Sequence, residues 1–159
     1  MTKIKFEDRN DNWEIWEKNS SIERSIKRIK KQLPEMEAAK QLVKIVRKKY
    51  KKGDTILDFG CAAGHFYLSL KRIDKRINYF GFDATKEYIK YAKNYFKNEK
   101  NAKFEVQSLF SMSKKYYNKF DIVFCSNVLH HIPSIDIPLA NLIKSAKKFC
   151  IIRTLVSNN

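Results

Sequence analysis

Long apolar runs are missing from this chain. None approaches the ~20 residues needed to cross a bilayer, so a membrane-spanning helical protein is excluded. The opening MTKIKFEDRN has no apolar core of the kind a secretion signal carries. Cysteine is scarce and odd in number: Cys61, Cys125 and Cys150, all in apolar surroundings. A disulfide framework is not expected, and a reducing cytoplasm is the expected compartment. Internal repeats and low-complexity linkers are also missing. Glycine is limited to four residues, and no G-x-G-x-x-G fingerprint of a dinucleotide site is present.

What is abundant is lysine. The net charge is +16, with 26 lysines against 7 arginines. A basic balance invites a phosphate partner, yet phosphate readers favour the planar fork of arginine. The excess is also spread evenly, +8 over residues 1–52 and +8 over 53–159. Composition bias accounts for most of it. Two clusters, RSIKRIKK (24–31) and KIVRKKYKK (44–52), keep RNA as a second partner class.

The 159 residues suffice for one domain with a sizeable core. Trp13, Trp16, Ile22, Ile26, Ile29 and Leu33 suggest a helix within 13–33, and Pro34 is well placed to open a second helix over 35–50. From residue 53 apolar strands alternate with helices. Strands are expected at 55–59, 77–82, 102–107, 120–127 and 148–156, with helices at 63–73, 85–98 and 134–147. This pattern predicts an α/β fold, a three-layer sandwich around a mostly parallel sheet. The expected organisation is an N-terminal helical segment, 1–52, supplying a lid and the first core helix, followed by an α/β core, 53–159.

In such a sheet ligands bind beyond the carboxyl ends of the strands, where strand order reverses. The first βα loop is ILDFGCAAGHF. Gly60 permits a tight turn, while Ala62 and Gly64 are small enough to let a ligand approach the backbone. The second strand runs into Asp83, an acidic residue that can accept both hydroxyl hydrogens of a ribose.

The run Asp58-Phe59-Gly60-Cys61-Ala62-Ala63-Gly64 resembles motif I of the class I S-adenosylmethionine-dependent methyltransferases, D/E-x-G-x-G-x-G, with alanine at the middle glycine. FDIVFCSNVLHHI (120–132) is similar to the segment around the fourth strand of many small-molecule methyltransferases. The resemblance implies a Rossmann-like fold, S-adenosylmethionine as cofactor and S-adenosylhomocysteine as product. It implies that the loop Gly60, Cys61, Ala62 and Gly64 wraps the methionine part, with Asp58 at the strand end holding the ammonium group. It also implies that Asp83, followed by Ala84, holds the ribose. An acidic or amide residue after the third strand usually meets the adenine; here Ser108 is the aligned candidate, with Gln107 beside it and the Leu109 amide next. Asn127 falls where cofactor and acceptor meet.

His130 and His131 are the candidate general bases, since histidine titrates near neutrality; the alternative is that they only pack. Trp13 and Trp16 either lid the pocket or staple a helix to the sheet. No NPPY-type sequence follows the fourth strand, which disfavours exocyclic-amine or amide methylation. A metal is not expected, because His65, His130, His131 and Cys61 match no ligand spacing.

The family's seven-strand sheet exceeds what is seen here. The expectation is a core lacking the last two strands, with the edge of the fifth covered by a missing C-terminal part or a second copy. The expected function is methyl transfer to a small-molecule oxygen or nitrogen. An RNA methyltransferase and a non-catalytic cofactor-binding module are the alternatives.

Overall fold

The computed structural model describes residues 20–155. Trp13, Trp16 and the first part of the helix expected from residue 13 lie outside them. The described elements are α1 (Ser20–Ile29), α2 (Glu37–Lys49), β1 (Thr55–Phe59), α3 (His65–Leu70), β2 (Asn78–Asp83), α4 (Lys86–Tyr95), β3 (Ala102–Val106), β4 (Phe120–Ser126), α5 (Asp136–Ser145) and β5 (Ala146–Arg153). Short 3-10 turns at Lys114–Tyr116 and Leu129–His131 flank β4.

The five strands form one sheet in the order β3-β2-β1-β4-β5, and every pairing is parallel. β1 lies at the centre, with β2 on one side and β4 on the other. The switch point therefore falls at the carboxyl ends of β1 and its two neighbours.

Alternation along the strands sends side chains into two cores. Ile56, Tyr79, Ile122 and Phe124 pack under the helices α1 to α4. Leu57, Phe59, Phe82, Val123 and Cys125 pack on the other face against Leu109, Met112, Tyr116, Leu129 and Leu142. That gives the three layers. The apolar stripe of α2, Ala39, Leu42, Val43 and Val46, is buried against the first face, as its 3.6-residue spacing requires.

The element boundaries differ from expectation at both ends of the core. α2 begins at Glu37 rather than at Pro34. The segment before it stays extended because Glu35 is held from the side: both guanidinium nitrogens of Arg72 donate to its carboxylate at 2.7 and 2.8 Å, and Ser69 Oγ donates at 2.6 Å. β5 starts at Ala146, immediately after α5, because Ala146 already pairs with Phe120 across a bulge. β5 ends at Arg153, where its backbone carbonyl accepts from Asn127 N. Among the described residues no helix is long and apolar enough to cross a membrane.

Candidate functional site

A cleft of about 290 Å³ opens at the switch point, close to the lower end of small-molecule sites, roughly 300–1,000 Å³. Its floor is Phe59 and Gly60 at the end of β1, Asp83 and Ala84 at the end of β2, Gln107 and Leu109 after β3, and Ser126 and Asn127 at the end of β4. Its roof is α1.

The loop after β1 is built to turn sharply. Gly60 and Gly64 have φ of +82° and +85°, where residues with a Cβ are strained. Both the Gly60 and Cys61 N–H groups donate to Phe82 O, at 2.7 and 3.0 Å, tying the loop to the end of β2. Ala62 occupies φ +48° as a non-glycine. This is the middle glycine position of the motif, so the backbone keeps the glycine conformation without the glycine. Ala62→Gly is expected to relieve strain and raise stability by up to about 1 kcal/mol, the left-handed penalty less the entropy that glycine adds to the unfolded chain. Chemical denaturation measures it; a loss of stability would mean that the alanine methyl packs more than it strains.

Asp83 braces the loop and faces the cleft together. Its Oδ2 accepts from Ala62 N at 2.8 Å and its Oδ1 from Thr85 N at 2.9 Å. The carboxylate also lines the cleft. Burial raises its pKa, and the backbone donors of Thr85 and Ala62 pull against that rise.

Asp58 is elsewhere. It lies on the opposite face of β1 from Phe59, 1% exposed, and does not line the cleft. Its Oδ2 accepts from Tyr79 Oη at 2.5 Å, and its Oδ1 has no hydrogen-bond partner. Burial pushes its pKa well above the usual carboxylate range, partly offset by the Tyr79 hydroxyl. A folded-state pKa raised above the unfolded value contributes stability below the unfolded pKa, and that contribution is lost as pH rises through the folded one. Asp58→Asn, which keeps an acceptor for Tyr79, is therefore expected to be more stable than the parent at pH 8. The difference should shrink towards pH 4. Equal stability of the two chains at every pH would contradict a raised Asp58.

Cys61 is also buried and points beneath the loop, where a Cβ on Gly81 would come 2.9 Å from its Sγ. Ser108 does not line the cleft; its Oγ accepts from Phe110 N, capping its own turn. Gln107 lines the cleft in its stead. Asn127 lines it from a positive φ of 59°, and its side-chain oxygen accepts from Arg153 of β5. His131 reaches the cleft, whereas His130 lies against it with ring centroids 3.8 Å apart and the planes tilted by 47°, and faces Thr154. Burial, and then the neighbouring His130, lower the His131 pKa. Among the described residues no three His, Cys, Asp or Glu side chains are placed to hold a metal.

Sequence reasoning expected a lid from the N-terminal segment but did not name the residues that form it. Ser21, Arg24, Ser25 and Arg28 of α1, with Met36, His65 and Tyr88, line the cleft. Ser25 Oγ accepts from Ala63 N at 3.2 Å, latching α1 onto the glycine loop. The available signal was the i, i+4 spacing of Arg24 and Arg28, which sets both on one helix face.

A parallel α/β sheet whose cleft is floored by a tight glycine loop and an acidic strand end defines a Rossmann-like nucleotide-type binding domain. The model of a methyltransferase domain family matches residues 50–158. The chain belongs to this family and carries a class I, S-adenosylmethionine-dependent methyltransferase domain. Similar solved structures are the YcgJ protein of Bacillus subtilis (23% identity, TM-score 0.61, 71% of this chain and 48% of that one), the methyltransferase CalH in complex with S-adenosylhomocysteine (20%, 0.58, 70% and 34%) and the [4+2]-cyclase SpnF (20%, 0.59, 67% and 40%). The chain thus spans a third to a half of the length of these proteins. No curated protein matches the sequence. One of the three similar structures is named for a cyclisation, so the shared fold does not by itself fix the reaction.

Proposed function

We propose that the cleft binds S-adenosylmethionine and that the domain transfers its methyl group to an oxygen or nitrogen of a small molecule. The observation that carries this is the pairing of the glycine loop with Asp83 across one cleft. The cradle fits the group: a Cβ on Gly60 would close it, Asp83 offers acceptors for two hydroxyls, and Ser126 Oγ is buried there without a partner. Gln107 and the Leu109 backbone are the candidates for the adenine, a role for which Ser108 is turned away. Cys61 and Asp58 support the loop from below, and Asp58 reaches a ligand only through that support. Gly64 and Ala84 shape the backbone on either side.

When bound, the cofactor supplies a methyl group on a sulfonium, with a good leaving group already attached. What remains for the chain is alignment and exclusion of water. α1 roofs the cleft. Asn127, fixed by Arg153, defines its β4 rim. His131, neutral at physiological pH because its pKa is lowered, can take a proton from an alcohol or phenol acceptor at one of its ring nitrogens; the tilted ring of His130 packs against it. The test is transfer of a tritiated methyl group to a panel of phenols, alcohols and amines. Turnover that falls at least tenfold in His131→Ala with an alcohol or phenol acceptor supports the base. Turnover unchanged in that variant would remove it, and labelling of RNA but of no small molecule would overturn the acceptor class.

A further inference from the structure

The two ends of the sheet differ in charge. All strands are parallel, so the turns that enter them lie at one end, and the loops that leave them lie at the other, with the cleft. The leaving loops, 60–64, 84–85, 107–113, 127–135 and 154–155, contain no lysine, arginine, aspartate or glutamate. The entering turns, 50–54, 71–77, 96–101 and 117–119, contain nine lysines and arginines against three carboxylates, and Lys147 and Lys148 open β5. A composition bias would supply lysine at both ends. The fold has gathered it at one.

The three carboxylates are already engaged. Asp54 pairs with Lys148 at 2.7 Å and Glu99 with Lys71 at 2.6 Å. Asp74 accepts from the Tyr50 hydroxyl and from Arg76 N. Arg72 pairs with Glu35. The other cations of this end form no ion pair among the described residues. They stand in sheet order: Lys100 before β3, Lys75 before β2, Lys51 before β1, Lys119 before β4 and Lys147 in β5, all exposed. Five strands at their usual spacing make this row roughly 19 Å long. Helix dipoles favour the cations in the last turns of α2 and α5. That effect falls off within the turn and does not reach Lys75, Lys100 or Lys119.

We infer that this end of the sheet is a docking surface for the phosphate backbone of a double-helical nucleic acid. A lysine meets a phosphate as a point charge and fixes position without reading base sequence. No large apolar or aromatic side chain is exposed in the entering turns. The row therefore lacks the aromatic platforms on which single strands stack and the apolar anchors that sink a basic surface into lipid. The cleft opens at the opposite end, so a duplex held here is an anchor and not the methyl acceptor. The surface does not rest on the function proposed above.

The experiment measures fluorescence anisotropy of a labelled RNA duplex, and of a DNA duplex of the same sequence, over a range of salt. It compares wild type with two variants of equal net charge. One changes Lys51, Lys75, Lys100 and Lys147 to Gln; the other changes Lys30, Lys86, Lys90 and Lys114, exposed lysines outside the row. At physiological ionic strength, about 0.15 M, the row variant should bind at least tenfold more weakly, and the control within threefold of wild type. The slope of log K against log salt should fall by about 0.9 for each row lysine removed. The duplex that binds more tightly identifies the nucleic acid. Saturating S-adenosylhomocysteine should leave either duplex affinity unchanged. Melting temperatures check folding; if the row variant melts early, Lys75→Gln and Lys147→Gln singly must each weaken binding. Equal losses in the row and control variants, no duplex binding at physiological salt, or displacement of the duplex by S-adenosylhomocysteine overturns the surface. Tighter binding to phosphatidylserine vesicles than to either duplex overturns the choice of partner. If S-adenosylhomocysteine itself fails to bind, the proposed cofactor is contradicted, and the two variants still decide the surface.

Discussion

Gly60→Ala is expected to lose about 3 kcal/mol of stability and the ability to bind S-adenosylhomocysteine. Two costs add. At φ +82° an alanine is left-handed, which costs roughly 1–2 kcal/mol. The new Cβ also lies 2.2 Å from Val128 Cγ2, and overpacking of this kind costs about 1–3 kcal/mol. Val128 is β-branched and stiff about χ1, so it cannot simply swing aside. For a domain of this size the melting temperature should fall by roughly 6–12 °C. The double variant Gly60→Ala/Val128→Ala separates the terms: it should recover the steric part and keep the backbone part. A double variant no more stable than Gly60→Ala would place the whole cost in the backbone and contradict the contact.

Asp83→Ala is expected to weaken S-adenosylhomocysteine at least tenfold, about 1.4 kcal/mol, the scale of one hydrogen bond to a charged group. It should also lower stability, because Ala62 N and Thr85 N lose their acceptors. The two effects can be told apart by calorimetry below the unfolding transition. Affinity within twofold of wild type, with a lowered melting temperature, would make Asp83 a brace for the loop and nothing more.

Much of this was legible in the sequence because the signals are local. Strand-forming runs such as TILDF and FDIVFCS, separated by amphipathic helices, set the α/β alternation, and the glycine spacing at residues 60–64 picked out the loop. Asp83 was legible because it ends a strand beside that loop. Three features were not. Asp58 follows the motif, but strand alternation turns it away from Phe59 and onto Tyr79, a partner 21 residues distant. Ser108 was aligned by position, yet its hydroxyl is taken by Phe110 N two residues on, which leaves Gln107 facing the cleft. The residues of the roof were hidden because tertiary contacts seat α1: the Ala63 N–H of the loop donates to Ser25 Oγ, and the Tyr95 hydroxyl of α4 donates to Ile29 O. In a chain this rich in lysine, Arg24 and Arg28 look like part of a solvated basic run until the fold sets them over the cleft.

The most direct test is calorimetric titration of S-adenosylhomocysteine and, separately, NADH into the unmodified chain. One S-adenosylhomocysteine site per chain, with no heat from NADH, is the predicted result. No binding of S-adenosylhomocysteine, or tighter binding of NADH, would contradict the account of the cleft.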